Sequence, residues 1–138
     1  MKALTVRQPW AWAIIYGGKD IENRTWTTTF RGSLAIHAGG NLDPVTEFPP
    51  GVGLPAIESL PRAAIIGVVE LVDILQQSDS VWFEGPFGWV FRNPRPLREA
   101  IPSIGHRGVW DLPSDIQEIL KKDPNFKPPD VARQRNIG

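Results

Sequence analysis

The sequence contains no cysteine and only two histidines, His37 and His106. The absence of cysteine excludes a disulfide framework, cysteinyl zinc and iron–sulfur sites, and thiol catalysis. Two histidines are too few to build a histidine-rich metal cluster. We therefore expect a protein of a reducing, cytoplasmic setting without a resident metal or other cofactor.

Long hydrophobic runs are also missing. The longest apolar stretch is interrupted by Gly67 and Glu70 and falls far short of the roughly 20 residues that a membrane helix needs. The first residues do not resemble a secretory signal, so we expect no membrane partner. A length of 138 residues favours a single domain with one substantial core.

Neither sign of charge dominates, since 15 basic residues face 15 acidic ones. The balance is nevertheless uneven along the chain. Residues 1–40 contain five basic and two acidic residues, residues 41–91 one and seven, and residues 92–138 nine and six. A local basic site therefore stays compatible with a neutral total, because binding depends on the local field.

Proline and glycine are concentrated in residues 41–62, which predicts a long loop over the core with one short helical turn near 56–60. Residues 123–138 contain several prolines and scattered charges, a composition that predicts a poorly structured tail. The folded domain is then expected to span residues 1–122. A protein-interaction module that uses this loop and tail is one functional alternative.

Between these segments the pattern predicts short strands and few helices. Strands are expected at 3–7, 21–27, 34–38, 64–75 (with a bulge at Gly67) and around 87–91. Helices are expected from Pro9 to Tyr16, ended by Gly17 and Gly18, and again after Pro113. This order predicts a small α+β barrel.

Six tryptophans are an unusual number for this length. Trp89 and Trp110 lie in predicted strands and are expected in the core. Trp82 and Phe83 precede a Gly-Pro turn and are expected to form a lid or a surface anchor.

Charged and aromatic residues meet just after the first helix. Alternation on a strand places Glu22, Arg24 and Trp26 on one face, with Lys19 beside them in the preceding turn. Lys19 and Arg24 suit a phosphate, with Glu22 orienting them or accepting a proton, and Trp26 with Trp10 or Trp12 of the helix suits a base. The alternative is a solvated ladder in which Glu22 merely pairs with a neighbouring cation.

Gly17, Lys19, Glu22 and Arg24 spell the pattern G-x-K-x-x-E-x-R, which resembles the signature of the ASCH domain family in the PUA-like superfamily. Three further pieces are similar to that family, namely residues 3–11, 31–38 and 85–94. The resemblance spans about residues 3–40 and 64–112.

This resemblance implies a PUA-like β-barrel whose cleft binds RNA, another nucleic acid or a nucleotide-like ligand. Family members include coactivator-type domains, enzymes that cleave single-stranded RNA, and hydrolases of the acetyl amide of N4-acetylcytidine. Those amidohydrolases carry threonine where this chain has Glu22, so the coactivator-type pattern is the closer match. The residues expected to bind nucleic acid are Gln8, Trp10, Gly17, Lys19, Glu22, Arg24, Trp26 and His37.

The leading interpretation is therefore an RNA-binding domain. The enzymatic alternative is a ribonuclease or base-modifying hydrolase in which Lys19 and Glu22 exchange protons, with Glu70 as a second carboxylate and a divalent metal as an option for a nuclease. The oligomeric state is left open.

Four further positions have two interpretations each. Glu70 is either a cleft carboxylate or a structural partner of an arginine, and His37 is either a ligand contact or a hydrogen-bonded structural residue. The turn of His106 and Arg107 either meets phosphate or is simply solvated. A run of three arginines either borders the cleft or protects an edge strand: Arg92, Arg95 and Arg98.

Overall fold

Strands form at most of the positions where the sequence predicts them. The computed structural model describes residues 1–126, so most of the predicted tail lies outside the described residues. The elements are β1 (Lys2–Gln8), α1 (Trp10–Tyr16), β2 (Ile21–Arg24), β3 (Gly32–Leu42), a 3₁₀ turn (Ile57–Ser59), β4 (Ala64–Leu75), β5 (Phe87–Pro102), β6 (Val109–Asp111) and α2 (Ser114–Lys121).

The strands form one mixed sheet in the order β2-β5-β4-β3-β1-β6. The β1–β3 pair is parallel, because α1 and β2 return the chain between them, and the other pairs are antiparallel. The α+β class is confirmed. The predicted barrel does not close, since β2 and β6 lie at the two edges of the sheet.

The physical reason lies in the edge strands. β2 has four residues and β6 has three, so each offers few main-chain groups for pairing. β6 pairs with β1 only at Lys2, Ala3 and Leu4, so the rest of β1 lies across a gap from β2. A side chain spans this gap: the Arg24 Nη2 atom donates to the main-chain oxygen of Thr5 at 2.8 Å. The seam between β1 and β2 is therefore open to solvent where a closed barrel would have a ladder of hydrogen bonds.

Three strands differ from the prediction by more than one residue at an end. β2 ends at Arg24 instead of residue 27, and β3 extends to Leu42. β5 continues to Pro102 through a proline-containing segment, because its pairing with β4 shifts register three times and leaves irregular positions that tolerate proline.

Gly67 lies at one of these irregularities, as the sequence predicts. Helix α1 approaches β4 so closely here that a Cβ atom on Gly67 would lie 2.5 Å from Ile15 Cδ1 and 2.9 Å from the Arg95 main-chain oxygen. The missing side chain therefore lets α1 dock on the sheet beside the open seam.

Apolar side chains are buried on both faces of the sheet. One cluster joins α1 to the sheet and contains Trp89, and the second packs α2 against the opposite face and contains Trp110. Both tryptophans are core residues, as expected. Within residues 1–126 no helix has the length and apolar character needed to cross a membrane.

The proline-rich loop covers α1. Its 3₁₀ turn forms where a helical turn is predicted, and Phe48 is buried against the rings of Trp10, Trp12 and Trp82. This third cluster fixes one wall of the seam.

Candidate functional site

The open seam between β1 and β2 widens into a cleft of about 680 Å³. β1 contributes one wall, and the signature turn and β2 form the floor. The first residue of α1, the loops after β3 and β4, and the turn before β6 complete the lining. A cleft of this size lies in the range of small-molecule sites, roughly 300–1,000 Å³. Its lining contains four basic residues (Arg7, Lys19, Arg24, Arg107) and four acidic residues (Glu22, Asp43, Glu47, Glu84).

Lys19 is almost completely buried, with 4% of its surface exposed. Its ammonium group donates to the main-chain oxygen of Ile21 and lies 3.5 Å from Glu22 Oε1. It also lies 5.7 Å from the ring centre of Trp10 and 5.5 Å from that of Trp82. Lys19 is therefore held inside the protein, unlike the phosphate-facing lysine expected from the sequence.

Burial lowers the pKa of Lys19 below its usual 10.5, and desolvation is the largest cause. The negative charge of Glu22 and its hydrogen bond act in the opposite direction. The net lowering shows that burial outweighs the ion pair.

Glu22 and Arg24 lie side by side on β2, as the period of two predicts. The Arg24 Nε and Nη2 atoms are 3.1 Å and 3.0 Å from the same Glu22 oxygen, Oε2. Because Nη2 also donates to Thr5, the arginine is fixed across the seam. The cleft floor thus presents a carboxylate acceptor next to a guanidinium donor.

Besides the buried Trp82, two half-buried tryptophans line the cleft. The Trp10 Nε1 atom donates to Asp43 Oδ2 at 2.8 Å, and Arg7 pairs with the same carboxylate at 3.2 Å. Trp26 packs edge-on against Trp89, with ring centres 4.8 Å apart. Both indoles are half-buried and anchored, so each offers a preorganised aromatic surface.

Gln8 and Gly17 support the site from beneath. The Gln8 side chain accepts from the Trp12 amide at 2.8 Å and donates to the Pro61 oxygen at 2.9 Å, which ties α1 to the loop. Gly17 ends α1, and a Cβ there would lie 3.0 Å from the Trp12 ring. Neither residue lines the cleft; both lie against Trp12 of α1, the helix whose first residue, Trp10, does line it.

The sequence did not indicate a role for Asn23, whose side chain holds the segment from Trp82 to Gly85 that forms one wall of the cleft. Its side chain donates to the Trp82 oxygen and accepts from the amides of Glu84 and Gly85. Trp82 is consequently a buried wall rather than a mobile lid. The signal in the sequence was an asparagine in a predicted strand, between Glu22 and Arg24 of the signature. Strand alternation, however, places its side chain on the opposite face from theirs.

His37 lies outside the main cleft and matches the structural alternative. Trp110 Nε1 donates to the Thr5 hydroxyl at 3.2 Å, so that hydroxyl is free to donate to His37 Nδ1 at 3.1 Å. The His37 Nε2 atom then donates to the Ser103 oxygen at 2.7 Å. Burial is the main cause that lowers the pKa of His37, which fits a neutral ring.

The structure does not bring Glu70 or the arginine run to the cleft. Glu70 pairs in register with Ser33 and Arg92, on the sheet face opposite Val69 and Leu71 of the core below α1. Sequence periodicity missed this placement because the irregularities of β4 shift which residues share a face. The three arginines extend along β5, where the guanidinium of Arg95 lies over Phe126.

His106 and Arg107 do line the cleft, from the turn before β6. Both side chains are exposed, and the His106 ring packs edge-on against Trp110. Within residues 1–126, no three histidine, aspartate or glutamate side chains gather closely enough to hold a metal ion.

A small α+β domain with Lys19, Glu22 and Arg24 at a cleft is the arrangement that the resemblance to the ASCH domain family implied, although its sheet is open and its lysine is buried. The ASCH domain family model matches residues 4–86, more than half of the chain, and the chain belongs to this family.

Curated relatives agree with this assignment. Activating signal cointegrator 1 of Homo sapiens is 29% identical, and the protein of that name from Mus musculus is 28% identical. Each match covers 86% of this chain and 23% of the relative, so the chain spans about a quarter of their length.

A solved structure, the ASCH protein of Zymomonas mobilis, superposes with a TM-score of 0.56. The match covers 90% of this chain and 96% of that one at 15% identity. At this identity the likeness concerns the fold alone.

Proposed function

We propose that this domain binds single-stranded RNA by taking one unstacked base into the cleft at the β1–β2 seam. The observation that carries the proposal is the cleft floor, where Glu22 and Arg24 form a fixed acceptor–donor pair beside two tryptophans. Single-stranded RNA is commonly recognised by aromatic stacking combined with hydrogen bonds to exposed base edges.

The charge balance of the cleft favours a base over a phosphate as its occupant. Four cations and four anions line it, so it has no excess positive charge. A phosphate near Glu22, Asp43 and Glu84 would meet three carboxylates. A base edge presents donors and acceptors without a net charge, and this chemistry complements a mixed floor.

Lys19 has a positioning role in this proposal. Its ammonium group binds Ile21 and Glu22 and is nearly inaccessible, so it orders the carboxylate instead of contacting ligand. Trp10 and Trp26 provide the stacking surface, because both line the cleft and are fixed by polar or aromatic contacts.

Titration of fluorescein-labelled five-nucleotide RNAs, one for each base, tests the proposal. We expect Arg24→Gln to weaken binding at least tenfold, because it removes a charged donor from the floor and a bond across the seam. Arg92→Gln is the matched control: Arg92 is exposed on β5 and does not line the cleft. Equal affinity of a folded Arg24→Gln variant and the wild type would exclude this site.

The lowered pKa of Lys19 beside Glu22 favours one second candidate, a ribonuclease or base-modifying hydrolase. Proton transfer is most effective when the pKa of the group lies near the working pH, and burial moves Lys19 in that direction. Glu22 would exchange protons with it, and the role of a divalent metal stays a prediction. RNA incubated with and without Mg²⁺ should then give product that Glu22→Gln abolishes; binding without product rejects this candidate.

A further inference from the structure

A second cavity of about 670 Å³ adjoins the cleft. It lies above β3 and beneath the turn before β6, and Thr5, His106 and Arg107 line both spaces. The cleft and the second cavity are therefore neighbours, with Arg107 at their common boundary.

The two spaces differ in chemistry. The lining of the cleft contains four carboxylates, whereas among the described residues no carboxylate lines the second cavity. Small residues dominate there, including Gly39, Gly40 and Gly105, and its charged or titratable members are Arg107 and the two histidines. An anion would meet cationic and main-chain groups in this cavity without the repulsion that it would meet in the cleft.

Arg107 is placed to use this difference. It is exposed, and within residues 1–126 none of the ion pairs involves it. A second guanidinium lies nearby, since Arg62 Nη1 is 3.4 Å from the main-chain oxygen of Gly40. Guanidinium groups bind phosphate through parallel hydrogen bonds, so both arginines suit this class of ligand.

The turn that presents Arg107 is anchored. The Ser103 amide donates to Ala63 at 2.9 Å, and the Ser103 oxygen accepts from buried His37. Gly105 lies so close to His37 that a Cβ atom would be 2.7 Å from its ring. Arg107 is thus held at the boundary of the two cavities by a packed turn.

We infer that the second cavity is a phosphate subsite that binds the phosphodiester adjoining the base in the cleft, with Arg107 as the phosphate ligand. This inference rests on the proposed function of the cleft. The two spaces then bind different parts of the RNA. The cleft, which is lined by both signs of charge, binds the base, and the second cavity binds the phosphodiester backbone.

The test compares a five-nucleotide RNA with its methylphosphonate analogue, whose linkages are uncharged, in the wild type, Arg107→Gln and Arg92→Gln. We expect wild type and Arg92→Gln to prefer the phosphodiester at least fivefold. Arg107→Gln should bind the phosphodiester more weakly and lose most of that preference. Its affinity should also depend less on salt, with a log–log slope smaller by about 0.7, as expected for one lost phosphate contact on a single strand.

Each outcome separates the two proposals. If Arg24→Gln loses RNA binding but Arg107→Gln keeps the wild-type preference and salt slope, the phosphate subsite is excluded and the base site stands. If the wild type binds neither oligonucleotide, the proposed function and the subsite both fail.

Discussion

At the scale of single residues, the most informative group is the ammonium of Lys19. The G-x-K-x-x-E-x-R pattern places a cation next to an anion, and an exposed pair of this kind contributes little to stability. Burial changes its character, because Glu22, the Ile21 oxygen and two indole rings replace the water around the charge. Lys19 thereby orders the floor of the cleft at a cost in desolvation.

Replacing Lys19 by methionine tests this cost. The pKa of Lys19 is lowered in the folded state. At pH values between that pKa and 10.5, Lys19 is therefore more fully protonated in the unfolded chain than in the folded one. The free energy of unfolding of the wild type should therefore rise as pH increases through this window, relative to Lys19→Met. Urea unfolding at pH 8, 9 and 10 measures the difference, and parallel pH profiles would contradict it.

Lys19→Met should also weaken RNA binding about tenfold, since Glu22 loses the group that orders it. Unchanged affinity in this variant would show that the position of Glu22 does not depend on Lys19.

His37 gives a second prediction at this scale. Its pKa is lowered mainly by desolvation, while the bond to Ser103 raises it and the charge of His106 lowers it. The unfolded chain therefore takes up the proton first as pH falls below 6.5, and the folded state loses stability. Above 6.5 this contribution is constant.

The His37→Gln variant keeps a donor for Ser103 but cannot titrate, so its stability should fall less between pH 7 and pH 5. Removing the ring should lower stability at pH 7 by about 1 kcal/mol, the value of one hydrogen bond. His106→Gln serves as the control and should keep most of the wild-type pH dependence, because desolvation of His37 is the larger cause. Thermal unfolding between pH 7 and pH 5 measures these differences. If His37→Gln lost as much stability as the wild type over this range, the pH dependence would not come from His37.

At the scale of elements, the contact between α1 and β4 positions the signature. α1 ends at Gly17, and its last turn accepts a hydrogen bond from the Lys19 amide through Ala13. Because Gly67 lets the helix approach β4, the position of α1 fixes where Lys19 and Trp10 enter the cleft.

Gly67→Ala should therefore lower the free energy of unfolding by about 1–3 kcal/mol, the usual cost of overpacking a core. Gly53→Ala is the matched control: its φ is not positive, and a Cβ atom there would have no described atom within 4 Å beyond its chain neighbours. That variant should be neutral or more stable by less than about 1 kcal/mol. Urea unfolding of both variants makes the comparison, and equal midpoints would mean that α1 tolerates displacement.

At the scale of the whole molecule, the open seam and the neutral charge predict weak dependence on salt. With Arg107 as the phosphate ligand, the log–log slope should be about −0.7. RNA affinity should then fall about threefold between 50 and 200 mM salt. A loss of 10³-fold would indicate a broad polyanion-binding surface and contradict a selective cleft.

Local patterns in the sequence specify most of the elements and the signature. Alternation located β1, a β-branched run located β4, glycine and proline placed the ends of α1, and the period of two put Glu22 and Arg24 side by side. These are local properties, set by backbone geometry and by residues within a few positions of one another.

The tertiary structure decided which residues meet. It brought Asp43 to Trp10, fastened Trp82 through Asn23 and moved Arg107 to the rim of the cleft, over sequence separations that periodicity does not address. The irregular pairing of β4 and β5 also turned Glu70 away. Burial of Lys19 and the open seam depend on the packing of several elements at once, so the role of the lysine and the shape of the site emerge only in the folded chain.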